Sequence, residues 1–439
     1  MTRASVVVVS WNGKACLGDC LAATSAQVSP DDEIIVVDND SADGSAALVR
    51  RGHPQVTLIE NERNLGFAGG CNVGLRAARG EALILVNQDV VVGTGWLEAM
   101  LQALESPGVG IAGCKLRYPD GTIQHAGGAI SYPLAHSTHY GYRELDRGQW
   151  DAQREVDYVI GASLGVKRAV LDEIGLLDEG FFPAFYEEVD LCRRAREAGY
   201  GVVYTPDGVA VHHETTTLDR DGIDYHRWMG RGRLRFVLKH YAPEQFHDDF
   251  VPAERRWLST QEAFAVRAAL RMAYLDTLLG LRDVPRTGVM GPEGSEPAVA
   301  EALIDLRAEI PVSAGGPPQE TLFAHDLLAE VPWFVEERPF VSRVPLLGRL
   351  IVSFRELWNR VSAKWYVRLL TEQQNEVNRR LLLEIARTQE ELAMVQEILA
   401  SLDRETTDDR RVQAEAIADL QQRIECLQAK VGHGEPGEA

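Results

Sequence analysis

Glu33-Ile34-Ile35-Val36-Val37-Asp38-Asn39-Asp40-Ser41-Ala42-Asp43-Gly44-Ser45 decides how the amino-terminal half of this chain is read. Its apolar, β-branched run bounded by turn formers reads as a short buried strand. The Asp, Asn, Ser and Gly that follow suit a turn and the N-cap of a helix. The same grammar recurs on both sides. Residues 6–10, 56–60 and 82–87 also read as strands, and residues 15–26, 45–52, 69–79 and 95–105 carry helical patterns. This alternation predicts an α/β architecture, a mostly parallel sheet covered by helices. Ligands on such sheets bind beyond the carboxyl ends of the strands, so the polar residues there are the candidates for chemistry.

The chain has 439 residues, room for two or three units, and its 45% hydrophobic and 25% charged residues are those of a soluble globular protein. A formal net charge of −20 argues against nucleic-acid binding through phosphate contacts. The six cysteines (16, 20, 71, 114, 192 and 426) form no CxxC pair, and Cys16 and Cys20 fall one helical turn apart. They read as buried thiols of a reducing compartment, not as a disulfide framework or a zinc site. The valine run at 6–9 is too short for a signal-peptide core, and no apolar stretch reaches the roughly 18 residues of a membrane span. A cytoplasmic protein is expected.

Near residue 240 the character changes. Residues 243–337 read as a helical extension, with an amphipathic helix at 263–281 and Pro/Gly-rich linkers at 285–297 and 311–318. Residues 338–370 carry seven Lys/Arg and one Glu, against the acidic trend. There Leu347, Ile351, Phe354, Trp358, Val361 and Trp365 share one helical face. Such a helix suits peripheral association with the inner face of the cell membrane, or docking on the preceding domain. Over 371–432, Leu381, Ile385, Thr388, Leu392, Val395, Leu399 and Leu402 keep a 4-3 spacing that resumes at Ile417, Leu420, Ile424, Leu427 and Val431. That pattern predicts a coiled coil with a stutter, for homo-oligomerisation or docking to a partner enzyme; a lone helix packed on the domain is the alternative. Residues 433–439 read as a disordered tail.

Three strand ends carry polar side chains. The first ends in Ser10-Trp11-Asn12-Gly13, the second in Asp38-Asn39-Asp40, and the fourth in Asn87-Gln88-Asp89. Asp38 can accept from a base N–H or a ribose hydroxyl, or serve the turn. Asp89 offers a hard oxygen to Mg²⁺ or Mn²⁺ against a diphosphate, or is structural. A second cluster, Phe181-Phe182-Pro183-Ala184-Phe185-Tyr186-Glu187-Glu188-Val189-Asp190-Leu191, precedes a helix expected at 192–198 with Gly199 as its cap. Its three carboxylates suit a helix dipole, and aromatic surroundings can also raise a carboxyl pKa into the range of a usable base. His212 ends another strand-like run after Pro206 and can serve as a nitrogen ligand.

Together these motifs resemble the family-2 glycosyltransferases of the GT-A fold, in particular the bacterial rhamnosyl- and galactofuranosyltransferase-like branch, over residues 1–242. The resemblance includes Asn64-Leu65-Gly66-Phe67-Ala68-Gly69-Gly70-Cys71-Asn72, Pro119-Asp120-Gly121 and Gln124-His125-Ala126-Gly127-Gly128. It implies an inverting, metal-dependent transfer of a rhamnose- or galactofuranose-like sugar from a nucleotide diphosphate to a cell-surface glycan or lipid-linked acceptor. The implied nucleotide-sugar residues are Ser10, Asn12, Asp38, Asn39, Asp40, Gly66, Asn72 and Asn87. In the family's DxD metal motif Asn87 stands for the first Asp, and Asp89 and His212 are the implied metal ligands. The family's Glu-Asp-x-Asp-Leu is here Glu187-Glu188-Val189-Asp190-Leu191, so the catalytic base falls on Glu188. The extra methylene moves that carboxylate outward by roughly 1 Å. Gly161, Ala162, Ser163, Glu187 and Asp190 are implied on the acceptor side. Arg231-Gly232-Arg233 resembles a basic segment that contacts the diphosphate, with Arg-Gly for the usual Arg-Asn. The segment 358–378 resembles tails of bacterial cell-surface polysaccharide enzymes. Two other readings stand beside this one. A non-catalytic nucleotide-sugar-binding scaffold on an oligomerising stalk is disfavoured because Asp38, Asp89, Glu188, Asp190 and His212 are all retained. A sugar nucleotidyltransferase would want a Gly-rich basic loop where Trp11-Asn12-Gly13 stands.

Overall fold

A computed structural model describes residues 2–214, 222–285, 287–291 and 295–310. The basic segment, the expected coiled coil, the tail and the extension beyond 310 lie outside the described residues.

Strand β1 (Ala4–Ser10) pairs in parallel with β2 (Glu33–Asp38) on one side and β4 (Ala82–Asn87) on the other, and β3 (Thr57–Glu60) extends the parallel set beyond β2. Helices α1 (Leu17–Ser25), α2 (Ser45–Gly52) and α3 (Gly66–Ala77) are the crossovers. Helices cover both faces, so β1 has no polar face to show: Ala4, Val6, Val7 and Val8 are fully buried. The register sets Ser10 beside Asp38, so two polar side chains meet where their strands end.

The other half of the sheet is mixed. After β5 (Val90–Val92) and α4 (Trp96–Glu105) come β6 (Val109–Arg117) and β7 (Ile123–His125). A separate hairpin, β8 (Gly128–Ile130) with β9 (Ser137–His139), stands off the main sheet. Then follow β10 (Arg154–Glu155), β11 (Ser163–Lys167), α5 (Arg168–Ile174), α6 (Glu187–Glu197) and β12 (Gly201–His212). The main path runs β10-β12-β6-β11-β4-β1-β2-β3, with β11 antiparallel to both its neighbours. Two pairings place the site. β5 runs antiparallel to the end of β12, which sets His212 opposite Val90 and next to Asp89. The amide of Asn87 donates to Ala162 O (3.1 Å), which fastens the end of β4 to the 160–162 loop.

The helix expected at 192–198 begins five residues earlier, at Glu187. The carboxylates therefore form its first turn, where the helix dipole favours them. Gly199, at φ 89°, closes the helix as a left-handed C-terminal residue. Helices α7 (Ile223–His240), α8 (Val251–Leu258), α9 (Phe264–Leu279) and α10 (Ser295–Ala308) complete a compact unit that runs from Met1 to Pro311. The amphipathic helix expected at 263–281 is α9. Among the described residues no helix is long and apolar enough to cross a membrane.

Candidate active site

The ends of β4 and β12, the 160–162 loop and the start of α6 enclose a cleft of about 290 Å³. Asn87, Asp89, Gly161, Ala162, Glu187, Glu188 and His212 all line it. On one wall His212 Nε2 lies 3.1 Å from Asp89 Oδ1, and His212 Nδ1 lies 2.8 Å from Gln124 Oε1. When Nδ1–H donates to Gln124, the Nε2 lone pair points at a carboxylate oxygen. Two acceptors so close are reconciled by a proton or by a cation that both ligate. Two cis ligands of an octahedral ion, each at about 2.1 Å, stand about 3 Å apart, so this donor pair fits a divalent metal. Gln124 fixes the ring's tautomer and orientation, as outer-shell partners of metal-binding histidines do. Among the described residues no group of three or more His, Cys, Asp or Glu side chains gathers for a metal.

The acidic pair lines the same cleft. Glu187 is buried, and Glu188 opens partly to the cleft. One oxygen of each, Oε2, has no hydrogen-bond partner among the described residues. Burial pushes the Glu188 carboxyl up to about 7, against the pull of the backbone N–H groups of Glu188, Val189 and Gly161. Burial, then the neighbouring charges of Glu188 and Asp190, drive Glu187 well above the ordinary carboxyl range. Phe67, Tyr158 and Tyr186 supply the apolar surroundings. A carboxylate near neutrality, with an oxygen that has no partner among the described residues and in one cleft with a carboxylate–imidazole pair, can take a proton from a hydroxyl bound in that cleft.

A third feature lies at the ends of β1 and β2. Ser10 Oγ and Asp38 Oδ1 are buried and lack partners among the described residues, while Asp38 Oδ2 accepts from the Ser41 amide at 3.0 Å. Unused buried polar atoms carry a desolvation cost that a polar ligand relieves.

Residues 5–175 match the model of the family described as glycosyl transferase family 2. The chain carries a family-2 glycosyltransferase domain. An N-acetylglucosaminyl-diphospho-decaprenol L-rhamnosyltransferase of Mycobacterium tuberculosis is 27% identical over 239 residues, 49% of this chain and 78% of that protein. The O-antigen biosynthesis protein RfbC of Myxococcus xanthus is 29% identical over 224 residues, 47% of this chain but 17% of that protein. An uncharacterized protein of Sinorhizobium fredii is 29% identical over 253 residues, 51% of this chain and 27% of that protein. The chain thus spans only a fraction of the length of two of these three relatives. Among solved structures, GalNAc-T7 with UDP, GalNAc and Mn²⁺ aligns with a TM-score of 0.46 at 15% identity, over 60% of this chain and 52% of that one. That likeness is too distant to carry chemistry across.

Several residues expected at the site of this glycosyltransferase domain are committed elsewhere. Asn39 spends its side chain on the loop before α3: Nδ2 donates to Asn64 Oδ1 (2.9 Å) and Gly66 O (3.0 Å), and Oδ1 accepts from Asn61 Nδ2 and the Leu65 amide (both 3.0 Å). Gly66, at φ 73°, has no room for a side chain, since a Cβ would come 2.8 Å from the Phe182 ring and Pro183 O. Asn72 binds Leu177 N and O and Glu179, tying α3 to the 177–179 turn. Asn12 Oδ1 accepts from the Ala42 amide at 2.9 Å, and Asp40 is exposed at φ 66°.

Ser163, expected on the acceptor side, does not line the cleft; it accepts from Trp96 Nε1 (3.0 Å) and Cys114 Sγ (3.2 Å) beneath the sheet. Asp190, also expected there, is fully buried facing α7 and bonded to Lys239 (2.7 Å), His240 (2.8 Å) and Arg194 (2.8 Å). Burial works to raise its carboxyl, but the His240 hydrogen bond and the Arg194 and Lys239 charges prevail and hold it well below the carboxylate range. Arg231 and Arg233 likewise do not line the cleft. Arg233 is buried against Glu254 (2.7 and 2.5 Å).

The sequence assigns Gln124 no role of its own, although its Gln-His-Ala-Gly-Gly segment is part of the resemblance. Gln88 also went unassigned. It accepts from the Trp11 amide (2.9 Å) and donates to Trp11 O (3.1 Å), locking the end of β1 to the end of β4.

Proposed function

We propose that the protein is an inverting, metal-dependent glycosyltransferase that moves a sugar from a nucleotide diphosphate to an acceptor hydroxyl. One observation carries the reading: a Glu188 carboxylate oxygen without a partner among the described residues shares a cleft with the Asp89–His212 pair. Ser10 and Asp38 would bind the nucleoside with atoms that are otherwise unsatisfied. Asp89 and His212 would hold Mg²⁺ or Mn²⁺, and a mixed oxygen–nitrogen set suits Mn²⁺ better. The ion would supply positive charge against the charge that grows on the departing diphosphate. Glu188 takes the proton of the acceptor hydroxyl. That oxygen forms its bond to the anomeric carbon from the face opposite the diphosphate, whose bond breaks in the same step, so configuration inverts. Glu187, buried beside it with its carboxyl driven well above the ordinary range, would face the acceptor side of the cleft.

The likeness to a protein named as an N-acetylglucosaminyl-diphospho-decaprenol L-rhamnosyltransferase supports a rhamnose donor and a lipid-linked acceptor; a UDP-galactofuranose donor and a cell-surface glycan acceptor rest on the sequence motifs alone. Such acceptors suit a cytoplasmic protein held at the membrane surface by residues 338–370 and oligomerised, or docked to a partner enzyme, through 371–432.

The test is a thermal-shift screen of nucleotide sugars with Mn²⁺ or Mg²⁺, followed by turnover with the donor that binds. A donor at 100 Kd stabilises by about 2.7 kcal/mol. Glu188→Gln should then lose on the order of 10²-fold or more in kcat while binding the donor as before. Undiminished turnover by that variant would reject the base, and binding without turnover by the parent would favour a scaffold.

A further inference from the structure

The two residues before the acidic pair, Phe185 (φ 80°) and Tyr186 (φ 74°), both occupy the left-handed region. Bulky aromatic side chains hold that conformation only where their surroundings impose it. Two consecutive residues of α7 bear on the segment directly, and the next one holds the turn beside it. Arg231 donates to the carbonyls of Phe182 and Gly180. Gly232 presses its bare backbone on the segment, and a Cβ there would come 2.6 Å from Phe185 O. Arg233, buried and paired with Glu254 of α8, reaches across to Leu134 O at 2.9 Å. From the other side, Tyr186 donates its hydroxyl to Ala135 O at 2.8 Å and accepts from the Ser137 amide at 3.3 Å. The 131–136 turn and the 182–186 segment are thus held by the same stretch of α7, and Glu188 rides on the helix that the segment starts.

We propose that Arg231-Gly232-Arg233 is a positioning clamp that fixes the Phe182–Tyr186 backbone, and through it the Glu188 carboxylate, and that it does not bind the donor diphosphate. The consequence for the reaction rests on the glycosyltransferase reading above; the mechanical claim does not. Positioning of a base to within about 1 Å governs its rate, so loosening the segment should appear in kcat and leave nucleotide affinity alone.

The experiment uses the full chain with Gly232→Ala and Arg231→Ala, plus Arg231→Lys as the conservative variant. Three quantities are read: hydrogen exchange of peptides spanning 180–190, the Kd of UDP and of dTDP with Mn²⁺ by calorimetry, and kcat with the donor identified by the screen. The clamp predicts about tenfold faster exchange in that segment for Gly232→Ala and Arg231→Ala, a Kd within about twofold of the parent, a kcat lower by about tenfold, and partial recovery in Arg231→Lys. A tenfold rise in Kd with exchange unchanged would return these arginines to the diphosphate and overturn the proposal. Faster exchange with kcat untouched would also overturn it, because the segment would then not set the carboxylate. A parent protein that binds neither nucleotide would sink the functional reading alone, and the exchange result would still decide whether the clamp exists.

Discussion

At the scale of single residues, two side chains carry expectations separable from the rest. Glu188 must be ionised to accept a proton, and burial has pushed its carboxyl up to about 7. The rate should therefore fall below neutrality along a single-proton limb, where an ordinary surface glutamate would hold it flat to about pH 5. Stability carries the opposite sign. Between its unfolded value near 4.5 and its raised folded value, the native state binds the extra proton, so this group's contribution is present at low pH and lost as pH rises through about 7. Thermal melts across pH 4–8 should show that loss in the parent and a shallower one in Glu188→Gln; identical slopes would mean the carboxyl titrates normally. Gln124 makes the second expectation. Its removal in Gln124→Ala frees His212 to rotate and should weaken Mn²⁺ binding by about 10- to 100-fold, read by titration of the full chain. Unchanged Mn²⁺ affinity would mean that His212 is not a ligand. The carboxylates and His212 were visible in the sequence because their residue types are costly to place at strand and helix ends without a use. Gln124 was not, because a glutamine's value lies in what it touches 88 residues away.

At the scale of elements, legibility follows burial. β2, β4 and α2 begin and end where the residue pattern put them, since buried strands in a parallel sheet must be apolar throughout and their ends must turn. The start of α6 eluded the same reading. Nothing in Phe185-Tyr186 announces a left-handed pair, and only the contacts from α7 and the 131–136 turn impose it. Asp190 shows the cost of reading a motif without its fold: the carboxylate faces away from the cleft and joins α6 to α7. Asp190→Asn would leave Lys239, His240 and Arg194 around a neutral amide. Removing one member of a buried ionic cluster costs roughly 3–5 kcal/mol, so urea unfolding should show a loss of that order. Below the melting point of the variant, turnover should stay within a few-fold of the parent. A variant of normal stability and no activity would put Asp190 back at the acceptor.

At the scale of the molecule, the resemblance ends near residue 242 but the compact unit does not. Arg227 on α7 makes a two-bond pair with Asp276 on α9 (2.6 and 2.9 Å), and Gly230 lets α9 approach at Ala273 and Leu270. Arg233 is buried against Glu254, whose Oε1 also accepts from Tyr274 at 2.8 Å. Nothing local in the sequence links Arg233 to Glu254, 21 residues on, and the pair emerges only when α8 folds back on α7. A fragment ending at 242 would keep the whole family match and lose every one of these partners. Stranding the Arg233 charge alone costs roughly 3–5 kcal/mol, against a total stability of about 5–15 kcal/mol for a domain, and the apolar face of α7 that packs on α9 would be bared as well. Residues 1–242 should therefore be insoluble or unfolded by circular dichroism. Residues 1–311 should melt cooperatively and bind nucleotide with the affinity of the full chain. If the shorter fragment melts at the temperature of the longer one, α8–α10 are accessory, and the clamp on the Glu188 carboxylate cannot depend on Glu254.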